Sequence, residues 1–274
     1  MILALHRNKD LNCRGFTLIE TLMVIALIGI LSVVTFDVIT DTLTESRFDE
    51  TVAKMNQIKS AMLGNPDIRE VSTRTSFGFL GDLGAIPTLA QGISALVTNP
   101  GLPVYAISAS GRFGLGWNGP YLTGSGSGVD YTTDAWGTAF VYSPTASPPT
   151  LVSYGADKVA GGTGFNQDIT VTMPTEMTTA TVSGFICQSG APFANAAEVQ
   201  LNYPNGLGVL TQPTQVLAPA DNGQFSFSSI PYGVRSVTIY RPSKAGATST
   251  LGPIVFTVDK PNFIIPCDRI DINN

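Results

Sequence analysis

Between Phe16 and Phe36 the only charged side chain is Glu20. A helix over that run, at about 1.5 Å per residue, spans roughly 30 Å, the thickness of a bilayer's hydrocarbon core. The run can cross a membrane once, and this constrains everything after it to one side. A hydrophilic piece, His6 to Gly15, comes before it. An ordinary secretory signal carries its cleavage site after a short apolar stretch, beside small residues. Here the break suggested by Arg14-Gly15-Phe16 precedes the apolar run, so processing leaves the helix on the mature protein. Arg7, Lys9 and Arg14 lie before the run and Asp37, Asp41 and Glu45 after it, which predicts a cytoplasmic leader and an external bulk.

The junction Gly15-Phe16-Thr17-Leu18-Ile19-Glu20 resembles the class III leader of type IV pilins and type II secretion pseudopilins. The resemblance implies a leader over 1–15 and a prepilin peptidase that cuts after Gly15 and methylates the new amino terminus on Phe16. Glu20 then lies five residues into the mature chain, where a carboxylate near hydrocarbon costs about 2.5–3.5 kcal/mol on insertion scales. Its implied partner is the Phe16 amine of a neighbouring subunit during assembly. The plainer alternatives are a Glu20 that keeps its head in interfacial water and a Gly15 that is an ordinary loop glycine.

Charged residues make up 13% of the chain while Gly and Pro number 28 and 18, which favours short strands and turns over a second long helix. The net charge of −5 becomes −7 once a leader with three cations and one anion is lost, so nucleic-acid binding is not indicated. The one histidine, His6, falls in the leader. The mature chain therefore lacks a Ser-His or Cys-His pair, and neither a P-loop nor clustered zinc ligands are present, so an enzyme is not expected. Cys13 also leaves with the leader. Cys187 and Cys267 remain, an even pair that can form one disulfide in an oxidising space, two buried free thiols being the alternative.

Past the apolar run, Phe48, Val52, Met55, Ile58 and Met62 recur at three- and four-residue steps and mark one buried stripe, with Glu50 and Lys54 as an i,i+4 pair on another face. Gly64-Asn65-Pro66 supplies the stop, so the helix is predicted over 16–63, with 16–36 in the membrane. Three later stretches, Gly81-Asp82-Leu83-Gly84-Ala85-Ile86-Pro87, Gly116-Trp117-Asn118-Gly119-Pro120-Tyr121-Leu122 and Asp134-Ala135-Trp136-Gly137-Thr138-Ala139-Phe140, resemble the head of the major type II secretion pseudopilin. Ala135 stands where that family usually has proline. These landmarks suit tight turns beside covering aromatics, an architectural role. The segment from Ser153 to Ile169 resembles the calcium loop of the same head, which implies calcium held by Tyr154, Asp157, Asn166 and Asp168 with backbone carbonyls. Lys158 replaces a frequent glycine and Asn166 a carboxylate, and a metal-free turn held by hydrogen bonds is the alternative.

This likeness ends at Ile169. A connector over 170–179 leads to a region of alternating strands, with Val199, Leu201 and Tyr203, then Phe225 and Phe227, then Val237 and Ile239, then Ile254, Phe256 and Val258. Gly184 and the run from Asn222 to Gly233 resemble the carboxypeptidase regulatory-like, or transthyretin-like, β-sandwich, with Cys187 and Cys267 placed to staple its ends. The expected fold is α+β: a long N-terminal helix, a small antiparallel head over 64–169 and an all-β sandwich over 180–274. The expected function is a structural subunit of a type II secretion pseudopilus or related type IV filament. Its partners would be further copies in a helical homopolymer, the prepilin peptidase, an inner-membrane assembly platform and minor pseudopilins. The alternative is a low-copy minor pilin or adhesin whose sandwich binds a secreted substrate or surface ligand. Either is expected in the inner membrane, amino terminus inside and head in the periplasm.

Overall fold

The computed structural model of the chain describes residues 15–122, 130–242 and 248–272, and of residues 31–40, 242 and 248 the backbone alone. The expected leader, with His6, Arg7, Lys9, Cys13 and Arg14, lies outside the described residues apart from Gly15. Contacts divide the chain into two units, 1–46 and 47–274. The first contains the start of helix α1, which spans Leu18–Leu63. Its apolar side chains are bare: Phe16 is 78% exposed, Ile19 72% and Met23 69%. Among the described residues no helix is long and apolar enough to cross a membrane, and the side chains of 31–40 fall outside that description.

In the second unit the remainder of α1 has the opposite character. Met55, Ile58 and Met62 are fully buried, Ala61 nearly so, and the half-buried Phe48 meets Phe165 edge-on at 5.8 Å, as the stripe predicts. The Glu50–Lys54 pair forms at 3.9 Å, yet Lys54 does not lie on an open face. Its ammonium is buried and donates to the Thr133 carbonyl at 3.0 Å, so the pair anchors the head to the helix. The helix stops at Gly64, whose φ of 78° suits glycine and whose Cα sits against the Ser76 carbonyl. Arg74, only 3% exposed, donates Nη2 to Leu63 O and Nε to Ser76 O, placing a cation on the negative end of α1.

The head that follows is built from short pieces. A hairpin of β1 (Arg69–Glu70) and β2 (Thr73–Arg74) leads to α2 (Gly78–Leu83), then to β3 (Ala106–Ile107) paired with β4 (Gly114–Leu115), and to a meander of β5 (Val141–Ser143), β6 (Thr150–Ser153) and β7 (Ile169–Thr172). In the connector a 3-10 turn at Thr175–Met177 follows β7. Beyond it, β8 (Thr179–Phe185), a small hairpin of β9 (Cys187–Gln188) and β10 (Ala191–Pro192), β11 (Ala197–Pro204), β12 (Leu210–Thr211), β13 (Thr214–Leu217), β14 (Gln224–Pro231), β15 (Gly233–Pro242), β16 (Thr248–Val258) and β17 (Asn262–Ile265) form the sandwich-like region. One sheet is ordered β12-β11-β15-β16 with β13 also on β11. The other is β14-β8-β17, antiparallel except where β17 runs parallel to β8. Val199, Leu201, Phe225, Val237, Ile239, Phe256 and Val258 all point inward, the faces their alternation predicts. The fold is thus α+β with a β-sandwich-like C-terminal region.

Head and sandwich share one continuous core. The C-terminal end of α2 is closed by Gly84 at φ 90°, so close to the Pro204 carbonyl that a side chain there would collide with it. Leu83 O accepts the amides of Gly206 at 2.7 Å and Gly208 at 3.2 Å. Arg235 of β15 is fully buried, and its guanidinium donates to Gly81 O at 3.0 Å, Pro231 O at 2.9 Å, Val234 O at 2.7 Å and Tyr232 O. Next to it, Ser236 Oγ donates to Gly111 O at 2.6 Å. Arg235→Met is expected to lower the stability of the 47–274 unit by about 3 kcal/mol or more, because buried carbonyls left without a donor cost about 1–3 kcal/mol each. Fluorescence of the head's Trp117 and Trp136 and far-UV circular dichroism should lose signal at one urea midpoint, and two separated midpoints would count against the shared core.

Candidate functional site

At the amino-terminal end, Thr17 and Glu20 make a reciprocal cap. The Thr17 amide and hydroxyl both donate to Glu20 Oε2 at 3.3 Å, and the Glu20 amide donates to Thr17 Oγ1 at 3.4 Å. The Thr-x-x-Glu spacing carries this signal, which the reading of Glu20 as an assembly group passed over. Phe16 lies just outside the cap, largely exposed. An added Cβ at Gly15 would meet nothing among the described residues, so the fold itself does not demand glycine there.

The loop from Tyr154 to Asp168 closes on its own backbone. Ala156 N donates to Phe165 O at 2.9 Å and Asp168 N to Gly161 O at 3.1 Å. Gly155, at φ 68°, lies against the Phe165 and Gln167 carbonyls, where a side chain would collide with them. Asp157 Oδ1 accepts Val159 N at 3.1 Å and Asp168 Oδ1 accepts Gly161 N at 3.0 Å. The Asn166 side chain makes no hydrogen bond with a described residue, and its backbone amide donates to Thr163 O at 3.2 Å. Tyr154 is half-buried and Asp157 exposed. Among the described residues no group of three or more His, Cys, Asp or Glu side chains is placed to hold a metal. What the loop offers a hard cation is two carboxylates, each with one oxygen engaged by an amide, and the Phe165 and Gln167 carbonyls. Lys158 keeps a left-handed φ of 63°, the conformation for which glycine is the easier residue.

The motifs around the loop are knots of hydrogen bonds. Asp134, buried, accepts the amides of Trp136 at 3.0 Å and Thr138 at 2.8 Å on Oδ1 and the Ser153 hydroxyl at 2.7 Å on Oδ2. Ala135 N donates to Thr51 Oγ1 of α1 at 3.1 Å, a bond proline cannot make, so the departure from the usual proline gains a helix-to-head tether. The Trp117 indole donates to Ala95 O at 2.8 Å. The Tyr121 hydroxyl accepts Asn118 N at 2.9 Å and donates to Asp82 Oδ2 at 3.0 Å. Burial pushes the Asp82 carboxyl up to about 6, against the opposing pull of Tyr121, Arg235 and Asn118. Burial likewise lowers Arg235 to about 9, with Asp82 acting against it, so the guanidinium stays charged near neutrality. Sequence reasoning saw Asp82 only as part of a turn motif and did not single out Arg235.

Cys187 and Cys267 are joined by a disulfide, their Cα atoms 5.6 Å apart. It ties the β9–β10 hairpin to the C-terminal segment, where Asp271 also accepts the amides of Ser189 at 3.1 Å and Gly190 at 2.7 Å.

A long helix with a bare apolar start, a hairpin-and-turn head and a loop of this kind define a pilin-like protein. Residues 39–172 match the family model described as type II secretion system (T2SS), protein G, and residues 10–36 match the prokaryotic N-terminal methylation motif. Residues 39–172 thus carry the type II secretion pseudopilin pattern behind a prepilin-type methylation motif over residues 10–36, and this part of the chain is type IV pilin-like. No curated protein matches it. Among solved structures, a variant of BcpA, the major pilin subunit of Bacillus cereus, is 18% identical over 47% of this chain and 37% of that one, with a TM-score of 0.26, too slight a likeness to argue from. The sandwich-like region lies beyond both family matches.

Because the folded Asp82 holds its proton more tightly than the unfolded chain does, it contributes stability that is full below about pH 4 and is lost as pH rises through about 6. Asp82→Asn should remove that loss, so the urea midpoint of the variant should vary less than that of the wild type between about pH 4 and 7. Parallel pH profiles would contradict the assignment.

Proposed function

We propose that this protein is a subunit of a type II secretion pseudopilus, anchored in the inner membrane through residues 16–36 and polymerised with its own copies through α1. The observation that carries this reading is the change of character along α1: its start exposes Phe16, Ile19 and Met23, while Met55, Ile58 and Met62 are sealed in the head. A contiguous bare apolar surface of this kind calls for lipid or neighbouring helices to cover it. The leader-type junction supplies the route, since Gly15 is not required by local packing and its recognition by a prepilin peptidase explains its presence. In this reading the new Phe16 amine meets Glu20 of a neighbouring subunit. The head faces the periplasm, and an assembly platform with minor pseudopilins receives the processed chain.

Two substitutions separate capping from charge at Glu20. Glu20→Gln keeps an acceptor for the Thr17 cap and removes the negative charge, while Glu20→Ala removes both. Both variants should insert in the membrane, because a carboxylate's insertion cost of about 2.5–3.5 kcal/mol disappears. Both should yield few filaments in a sheared-fraction assay. Normal filament yield from Glu20→Gln would leave capping as the role of Glu20, and intact mass showing Met1 retained in assembled protein would exclude cleavage before Phe16.

We further propose that calcium binds the loop through Asp157 and Asp168, with Tyr154 and Asn166 contributing oxygens and backbone carbonyls completing the set. Its support is the two carbonyls of Phe165 and Gln167 close to Gly155 and the partly engaged carboxylates. Calcium bound only by the folded chain would raise stability by about 2.7 kcal/mol at a hundredfold excess over Kd. Asp157→Asn and Asp168→Asn keep the amide acceptors and should abolish the calcium-dependent rise in melting temperature. Lys158→Gly should enlarge it by removing a cation. Identical wild-type melting in calcium and in chelator would overturn the metal assignment.

A further inference from the structure

A cleft of about 570 Å³ opens on the head beside Val234 of β15, and none of the roles described above uses it. Its size is that of a small-ligand site. Asp82 lines it, its carboxylate held by the Tyr121 hydroxyl at 3.0 Å, and that hydroxyl is itself fixed by the Asn118 amide at 2.9 Å. This relay sets a carboxylate, a phenol and the carboxamide residue Asn118 side by side.

Tyr105 and Arg112 complete the lining. The Tyr105 ring lies directly over Gly114, where any side chain would strike the ring and its hydroxyl, so the ring is seated on bare backbone and remains 39% exposed. Arg112 is exposed, and its guanidinium makes no hydrogen bond or ion pair with a described residue. Its φ of 58° is a left-handed conformation that a non-glycine residue adopts at a cost, a feature that gathers at binding sites. A guanidinium with no hydrogen bond or ion pair to a described residue, carried on a left-handed backbone position and lining the same cleft as the fixed Asp82 carboxylate, is a group that the described contacts of the fold do not use.

The donor set selects the ligand. A lone anion would meet Asp82 and a lone cation would meet Arg112, so the two charges disfavour either. Carboxylate, guanidinium and carboxamide are planar groups that engage pairs of adjacent hydroxyls, as acceptor, donor and both respectively. The Tyr105 face offers an apolar platform beside them, suited to the C–H face of a sugar ring. We propose that this cleft binds a neutral saccharide, with Asp82, Arg112 and Asn118 reading hydroxyls and Tyr105 stacking on the ring. This assignment is independent of the filament reading, since the cleft shares no residue with α1 or with the calcium loop.

The test uses the full-length protein in a detergent that carries no sugar, with saturation-transfer NMR against maltose, cellobiose, lactose and chitobiose. Glycine and inorganic phosphate serve as zwitterionic and anionic controls. At least one disaccharide should show transfer to its ring C–H protons, and Tyr105→Ala and Arg112→Ala should each weaken binding by about tenfold or more at unchanged melting temperature. Arg112→Ala keeps the test decisive if Tyr105→Ala fails to fold, because the Arg112 side chain supports no described contact. Absence of transfer to every disaccharide, binding equal to wild type in Arg112→Ala, or binding of glycine or phosphate alone would each overturn the proposal.

Discussion

The buried guanidinium of Arg235 is the interaction on which the arrangement of the 47–274 unit depends. A charge removed from water is tolerated only when its donors are met, and here four backbone carbonyls from two parts of the chain meet them. Three of those carbonyls come from the β14–β15 corner itself, and the fourth, Gly81 O, belongs to α2 of the head. The same corner therefore cannot be satisfied without the head in place. Around it, the Gly206 and Gly208 amides on Leu83 O and the Ser236 hydroxyl on Gly111 O repeat the pattern of sandwich donors meeting head carbonyls. A sandwich attached in this way is part of the subunit's body, which bears on how an enlarged head is carried by a filament-forming family.

The helix that leads into this body is tied to it by a different chemistry. Lys54 donates to the Thr133 carbonyl, Thr51 accepts the Ala135 amide, and Arg74 donates to the Leu63 carbonyl at the end of the helix. Each tether joins one side chain to one backbone group, and in the first two the backbone group belongs to a turn of the head, so they depend on that turn's geometry. Asp134 sustains that geometry by gathering two amides of its own turn and the Ser153 hydroxyl of β6. Replacement of the family's usual proline by Ala135 fits the same logic, since the freed amide is spent on the helix.

Much of this was legible in the residues. The apolar run, the buried stripe, the stop at Gly64 and the alternation of Val199, Leu201, Phe225 and Phe256 each follow from a local period or a backbone preference, and such signals survive without knowledge of distant contacts. The leader-type junction and the loop glycines were readable for the same reason. The Thr17–Glu20 cap was equally local, and its spacing was visible though overshadowed by the cost of a carboxylate near lipid.

What only the tertiary structure decided are the contacts between segments far apart in sequence. Lys54 reads as the exposed half of a helical pair, and it becomes buried because Thr133 is brought over it. In β15, Ser236 and Thr238 alternate with the core residues Val237 and Ile239, yet both are buried, Ser236 on the Gly111 carbonyl of the head and Thr238 against Asn202, while Arg235, on the Val237 side of the strand, is a charge that alternation places inward and that Gly81 of the head helps to satisfy. Asp82 lies on α2, Tyr105 just before β3 and Arg112 between β3 and β4, and no periodicity links them to one cleft. Period and propensity report which way a residue faces on its own element. Which carbonyl, carboxylate or ring waits on the other side is set by chain topology, and that decided where this protein's buried charges and its cleft lie.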